Sequence, residues 1–231
     1  MKALLYKELK LAMHPVCYTF IALFPLMTLV PDGAYPRAIG FIYILSCYPI
    51  LFLGANKGQQ SNDLLYSTLL PVRKKDIVLA RIFTVLIMQF AFIALSSCLL
   101  PAAYALRDAM KASSDPEVQK LVNPIGIGLD TYVVLIAVAI TGFSLADLIF
   151  FPIYYKNGKS IVLSTLMMIL GFIVFLGLFT MALPNIIGLE RFNSIPLWAQ
   201  FIILAASLIV CFFVHLIVYK VSSKRLEKVD F

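Results

Sequence analysis

The stretch Asn56–Arg81, NKGQQSNDLLYSTLLPVRKKDIVLAR, is a polar segment between two strongly apolar runs, and it contains five basic residues. Ser61 is placed to cap a short helix. The apolar residues after it recur at helical spacing and so share one face of that helix; they are Leu64, Leu65 and Leu69. Pro71 ends the helix, because its ring fixes φ and removes a backbone donor. The pattern predicts a compact amphipathic helix just outside a membrane.

A basic turn follows this helix. Arg73, Lys74 and Lys75 are consecutive, and Asp76 stands near the start of the next apolar run. A carboxylate there suits the positive end of a helix. An amphipathic helix followed by a basic turn is suited to docking a soluble partner.

Composition indicates a polytopic membrane protein. The 231 residues are 61% hydrophobic and only 13% charged, and the mean hydropathy is +0.94. A soluble domain of this length would expose too much apolar surface, whereas a bundle of membrane helices requires it. The four cysteines lie inside apolar runs without C-x-x-C spacing. They are therefore interpreted as small packing residues rather than as metal or redox centres.

Hydropathy predicts an all-α protein with six transmembrane helices in a single transmembrane domain, 1–231. The first two are shorter than the roughly 20 residues a span needs. Prolines within spans predict kinks, and small residues four apart predict close helix packing or a dimer contact. The small residues are Ala94, Cys98 and Ala102, then Gly142 and Ala146. The predicted spans are 16–30, 38–55, 78–106, 131–153, 161–183 and 197–219.

Four segments lie outside these spans. Residues 1–14 predict an interfacial amphipathic helix with Lys7, Lys10 and His14 on one face and Leu5 and Leu9 on the broad apolar face. Residues 56–81 form the inner loop. Residues 107–128 predict an extracellular loop with a capping box. The 184–196 segment is too apolar for a solvated loop and predicts an outer re-entrant segment.

Charge distribution predicts the orientation. Fourteen of the 19 lysines and arginines fall at the two termini, in the 56–81 loop and between spans four and five. The positive-inside rule therefore places both termini and the 56–81 loop in the cytoplasm. The net charge of +7 follows from this topology, so no nucleic-acid partner is predicted.

The sequence offers no pattern for covalent chemistry. Gly158-Lys159-Ser160 resembles the end of a P-loop, but the required first glycine is replaced by Ile153. His14, His215 and the glutamates form no metalloprotease pair, so no catalytic residue and no metal ligand is predicted. His215 is interpreted as a polar tip at the membrane interface rather than a proton relay.

Asp147 is the acidic residue that lies well inside a predicted span. A charge at that depth is costly and normally faces protein or a water-filled cavity. Two interpretations follow: a wall of a polar translocation path, or a structural hydrogen bond or snorkelling pair with Lys156 or Lys159.

The run LLPVRKKDIVLAR, Leu69–Arg81, resembles the signature of permease subunits of ABC-2-type ATP-binding-cassette exporters. In that family a similar segment follows the loop helix and opens the third span. The predicted N-terminal helix, six spans and outer re-entrant segment also fit. Short permeases of Gram-positive bacteria, including exporters of amphipathic toxin or antimicrobial peptides, look most similar. The chain has Arg73 where the family often has serine.

The resemblance implies a mechanism. Two permease chains, identical or related, would form the pore in a bacterial plasma membrane, each docked on a soluble ATPase that binds ATP and Mg²⁺; the chain itself needs no cofactor. The substrate would be an amphipathic or hydrophobic peptide or drug. The ATPase-docking residues would be Asp63, Leu64, Leu65, Leu69, Pro71, Arg73, Lys74, Lys75 and Asp76. A secondary contact would comprise Tyr155, Lys156 and Lys159.

Two other classes have the same gross topology. A membrane sensor or immunity protein would also have six spans and a basic inner face, but it would not need a docking helix. A secondary transporter would normally show an internal repeat and several charges in broken central helices. No convincing repeat is seen in this sequence.

Overall fold

The computed structural model describes residues 2–9, 15–30, 40, 42, 44–45, 47–53, 72–113, 115, 129–157, 161–182, 185–186, 188 and 194–228. Most of the predicted 56–81 loop, residues 10–14, and parts of the predicted 107–128 and 184–196 segments lie outside the described residues.

Every element among the described residues is helical, and none of them is a strand. The α-helices are α1 (Lys2–Lys7), α2 (Pro15–Leu23), α3 (Cys47–Leu53), α4 (Lys74–Cys98), α5 (Leu100–Lys111), α6 (Tyr132–Asn157), α7 (Ile161–Gly177) and α8 (Leu197–Glu227). A 3-10 helix, Phe24–Leu29, continues α2; a short one, Leu129–Thr131, precedes α6; and a π-helical turn, Leu178–Ala182, follows α7.

Within the described part of the chain, three stretches are long and apolar enough to cross a membrane: Lys74–Lys111, Tyr132–Lys156 and Leu197–Glu227. They coincide with the third, fourth and sixth predicted spans. The shorter apolar helices Val16–Leu29 and Ile161–Gly177 fall at the first and fifth. These helices confirm the expectation of an all-helical membrane protein. The full count of six spans stays a prediction.

Proline positions explain two changes of helical geometry. Pro25 lies at the start of the 3-10 helix that continues α2, and Pro101 lies in the first turn of α5. A proline has no N–H for the preceding turn, so α4 ends at Cys98 and the chain restarts as α5 after Leu99.

The core is built around α6, which packs along both α8 and α7. Its buried side chains include Phe143, Ala146 and Phe150. By contrast, α8 leaves most of its apolar surface exposed, including Phe201, Phe212 and Phe213. A helix apolar on all sides but packed on one suits a position at the edge of a membrane bundle.

The N-terminal helix buries a charged residue as well as apolar ones. Leu4 and Glu8 are buried, and α1 packs against α4. Leu5 and Leu9, which were expected to lead the apolar face, are only partly buried. Leu9 packs against the core, and Glu8 joins this side of the helix because it pairs with a buried arginine on α4; the interfacial helix over 1–14 stays a prediction.

The helix ends far from Lys74 are also joined. Arg107 Nη1 donates to both carboxylate oxygens of Asp130, at 3.0 and 3.1 Å. Gln200 Nε2 donates to the backbone carbonyl of Asp130 at 2.9 Å. These bonds hold the ends of α5, α6 and α8 together on the side opposite to Lys74.

Close approach of α6 and α7 depends on glycine. A Cβ at Gly142 would lie 2.8 Å from Phe172 Cε2 and 3.0 Å from Phe175 Cδ1. Phe172 is itself buried and stacks on Phe143 with ring centroids 5.5 Å apart. Gly142 therefore serves packing within the chain, as in close helix contacts of membrane proteins generally.

We expect Gly142→Ala to lower the free energy of unfolding by about 1–2 kcal/mol, because overpacking outweighs the better helix propensity of alanine. Gly177→Ala is the matched control, since a Cβ there meets nothing within 4 Å. Unfolding in mixed detergent micelles with increasing dodecyl sulfate measures the free energy of unfolding of both variants. A Gly142→Ala variant as stable as Gly177→Ala would contradict the packing argument.

Candidate functional site

A buried polar cluster joins four helices near the middle of the chain's apolar region; we call it the midspan cluster, and it comprises Tyr48, Gln89, Asp147 and His215. Asp147 on α6 is fully buried. Tyr48 on α3 donates its hydroxyl proton to Asp147 Oδ1. Gln89 Nε2 on α4 donates to Asp147 Oδ2 at 3.1 Å and to the Tyr48 hydroxyl at 2.5 Å. One carboxylate thus connects α3, α4 and α6.

His215 on α8 completes the cluster. Its Nδ1 lies 2.7 Å from the carbonyl oxygen of Cys211, and a carbonyl can only accept, so Nδ1 carries a proton. Its Nε2 lies 3.0 Å from Asp147 Oδ2. A carboxylate with three surrounding donors fits the ionised form, so the geometry favours an imidazolium–carboxylate pair. Without a proton on Nε2, this nitrogen and Asp147 Oδ2 would be two acceptors facing each other, and the carboxylate would be a buried charge without a countercharge.

The interpretation of His215 as an interfacial tip was wrong. The predicted sixth span ended at 219, whereas α8 continues to Glu227, more than three turns beyond His215. His215 is packed against the bundle rather than placed at a helix tip, with its side chain only 10% exposed.

For Asp147 the structure favours the hydrogen-bonded interpretation. Its described partners are Tyr48, Gln89 and His215, while Lys156 is exposed at the end of α6. Lys159 lies outside the described residues. Because Asp147 has no solvent-exposed surface, it does not line an open path in this conformation.

A second buried cluster lies closer to the start of α4; we call it the inner cluster, and it comprises Glu8, Phe52, Arg81 and Tyr154. Arg81 is 1% exposed. Its Nε lies 3.6 Å from Glu8 Oε1, and its Nη1 donates to the Tyr154 hydroxyl at 3.0 Å. The guanidinium carbon also lies 5.2 Å from the centre of the Phe52 ring, a cation–π distance.

The inner cluster connects the N-terminal helix to α3, α4 and α6. Arg81 was counted with the inner loop in the sequence interpretation, but it lies two turns inside α4 and is buried. A buried arginine is stable only with opposite charge and hydrogen bonds around it, and Glu8 supplies the charge.

Helix α4 links the end of the predicted docking region to both clusters. Arg73 Nε pairs with Asp76 Oδ2 at 3.1 Å at its first turn. Arg81 follows in the inner cluster, and Gln89 in the midspan cluster. With a rise of 1.5 Å per residue, Lys74 and Gln89 are about 22 Å apart along one unbroken helix.

The same end of the bundle is held by contacts from the C-terminal part of α8. Lys75 Nζ lies 3.3 Å from Glu227 Oε1, and Arg225 Nη1 donates to the backbone carbonyl of Pro152. The beginning of α4 and the ends of α6 and α8 are thereby joined next to Arg73–Asp76.

Part of the predicted docking site falls within the described residues. Arg73 is exposed, with 84% of its side chain accessible, and Lys75 is 52% accessible. Lys74 and Asp76 are partly buried at the start of α4. The other predicted docking residues lie outside the described part of the chain; they are Asp63, Leu64, Leu65, Leu69 and Pro71.

The secondary contact needs a correction. Tyr155 is fully buried, and its ring packs on Tyr154, with ring centroids 5.0 Å apart. It is therefore not accessible to a partner in this conformation, because α6 turns it toward the core. Lys156 is exposed.

The sequence interpretation found Asp147 but missed its partners and the inner cluster. A usable signal existed: Arg81 and Gln89 are polar side chains within or at the edge of the third predicted span, and such residues are costly unless partnered. No group of three or more metal-binding side chains occurs among the residues that the structure describes.

Comparison with known proteins identifies the family. Residues 3–219 match the family described as ABC-2 family transporter protein. No curated protein and no solved structure matches significantly. The family match extends from the N-terminal helix to the last turns of the α8 span and so includes both buried clusters. The chain belongs to the ABC-2 family of transporter proteins.

Proposed function

We propose that the chain is the membrane-spanning subunit of an ATP-driven exporter that moves an amphipathic or hydrophobic substrate, such as a peptide toxin, antimicrobial or drug, outward. A separate soluble ATPase supplies the energy by binding ATP and Mg²⁺. The pore is completed by a second permease chain, identical or related. The setting is a bacterial plasma membrane, with both termini cytoplasmic. Family membership favours this function over a sensor protein or a secondary transporter.

The observation that supports coupling best is the course of α4. It starts with the exposed Arg73–Asp76 pair and, within one continuous helix, carries Arg81 and Gln89 of the two buried clusters. An ATPase that displaces the start of this helix would act on both clusters at once. A partner can shift such an equilibrium only by binding one conformation better than the other.

The docking surface in this proposal is the segment from Asp63 to Asp76. Leu64, Leu65 and Leu69 fill an apolar notch on the ATPase, Pro71 sets the turn, and the charged residues form a polar rim. Lys156 and Lys159 supply a secondary contact. In the alternate conformation, opening of the midspan cluster would expose Asp147 to the translocation path.

Co-purification tests the coupling. The tagged chain is extracted from its host in mild detergent and compared with the double variant Leu65→Asp/Arg73→Glu. We expect a soluble ATPase to co-purify with the wild type at near-equal amount and to fall by about tenfold or more in the variant, since a charge in an apolar notch removes a binding hot spot.

Lys111→Glu is the matched control, because Lys111 is an exposed basic residue at the opposite end of the bundle; it should retain the ATPase. Recovery of no ATPase with the wild type, or equal recovery with the double variant, would overturn the assignment of the docking segment.

A further inference from the structure

An apolar groove runs between α4 and α8 on the outside of the bundle. Its volume is about 440 Å³, within the range of small-molecule sites. The wall is aliphatic and aromatic apart from Cys211, the edge of His215 and Tyr219. The lining from α4 comprises Leu79, Ile82, Phe83, Leu86 and Phe90, and that from α8 comprises Leu208, Cys211, Phe212, His215, Leu216 and Tyr219.

The groove has the length of half a bilayer. Leu79 and Phe90 mark its two ends on α4, and their separation along the helix is about 16 Å at 1.5 Å per residue. The hydrocarbon core of a membrane is about 30 Å thick, so one leaflet contributes about 15 Å. Because Leu79 lies near the start of α4, the groove spans the leaflet at which α4 begins and α8 ends.

Lysines stand at the mouth of the groove on both walls. Lys75 lies one turn before Leu79 on α4, and Lys220 lies one turn after Leu216 on α8; residues four apart share a face of a helix. Both lysines are exposed, as is Lys224 one turn further on. Among the described residues, the acidic group paired with these lysines is Glu227, 3.3 Å from Lys75, so the three lysines leave a positive charge there.

An apolar groove about 16 Å long matches an acyl chain of one leaflet in length and polarity. The positive mouth selects a negatively charged head group.

We propose that the groove binds an anionic phospholipid of the leaflet at which α4 begins. One acyl chain lies between α4 and α8 and covers the exposed edge of His215, and the phosphate lies between Lys75 and Lys220. The lipid would keep water from the Asp147–His215 pair. This site goes beyond the proposed export function and does not depend on it.

Tryptophan quenching by brominated lipids tests the site directly. Trp198 is the one tryptophan of the chain, so Trp198→Phe/Phe83→Trp places a single reporter in the groove, where Phe83 is 44% exposed. The purified chain is reconstituted in phosphatidylcholine vesicles containing equal fractions of chain-brominated phosphatidylglycerol or chain-brominated phosphatidylcholine. Trp198→Phe/Val174→Trp is the matched control, because Val174 is exposed on α7 outside the groove lining.

We expect the groove reporter to show a preference of about tenfold for brominated phosphatidylglycerol, since two nearby lysines act on one head group. The Val174→Trp reporter should show almost no preference. Adding Lys75→Gln/Lys220→Gln should remove the preference of the groove reporter, whereas Lys156→Gln should leave it unchanged.

Equal quenching of the groove reporter by the two lipids would overturn the proposal, as would a preference that survives Lys75→Gln/Lys220→Gln. Absence of quenching by either lipid would also overturn it, because the groove would then be covered by protein. None of these readouts requires an ATPase, so they fail or succeed independently of the proposed function.

Discussion

Replacing Asp147 by alanine is expected to destabilise the protein by about 3–5 kcal/mol, the cost of removing one partner from a buried ion pair. Tyr48, Gln89 and His215 would all lose the oxygen to which they donate. Because Asp147 is fully buried, water cannot replace that oxygen without opening the bundle. Unfolding in mixed micelles with dodecyl sulfate measures the loss.

A double-mutant cycle separates the pair from general packing. Asp147→Ala, His215→Ala and the double variant should give a coupling energy of at least about 1.5 kcal/mol, as contacting members of one network do. The control is Asp130→Ala at the end of the bundle opposite to Lys74, where the carboxylate is 64% exposed and a surface ion pair contributes about 0–1 kcal/mol. Additive losses within the cycle would contradict the ion pair.

Replacing Arg81 by methionine is expected to release the N-terminal helix and to destabilise the protein by about 3 kcal/mol, because Glu8 would remain buried without its countercharge. Methionine keeps most of the apolar length of the side chain, so packing changes little. The double variant Glu8→Gln/Arg81→Met should recover part of the loss, since it removes both charges.

Cysteine labelling gives the local readout. Leu4 is 4% exposed in α1, so Leu4→Cys in a Cys98→Ser background reports whether α1 stays packed; the other cysteines are buried. Maleimide labelling at position 4 should accelerate at least about tenfold with Arg81→Met, as expected when local opening costs over 1.4 kcal/mol less. Unchanged labelling would show that the inner cluster does not hold α1.

Hydropathy was sufficient to locate the helices. The third, fourth and sixth predicted spans coincide with α4–α5, α6 and α8, and Pro101 marks the break between α4 and α5. These features are local, since a helix in lipid satisfies its backbone within one segment. The end of α8 was predicted eight residues too early, because its last two turns are polar yet packed: Ser222, Ser223 and Leu226 are buried there.

Less of the candidate site could be predicted from the sequence. Asp147 was singled out because a carboxylate in a span is costly, but its bonds to Tyr48 and His215 join residues 99 and 68 positions away. Such pairings depend on how each helix is rotated about its axis, and a helix apolar on all sides, like α6, carries little pattern to indicate that rotation.

The sequence by itself determined the membrane class, the positions of the main helices and the family, because apolar length and a short motif are properties of single segments. Only the tertiary structure decided that Glu8 faces Arg81, that Tyr155 points inward and that His215 bonds Asp147. The physical reason is that burying a charge is tolerated only where another helix supplies its partner, and that partner is chosen by the packing of the whole bundle.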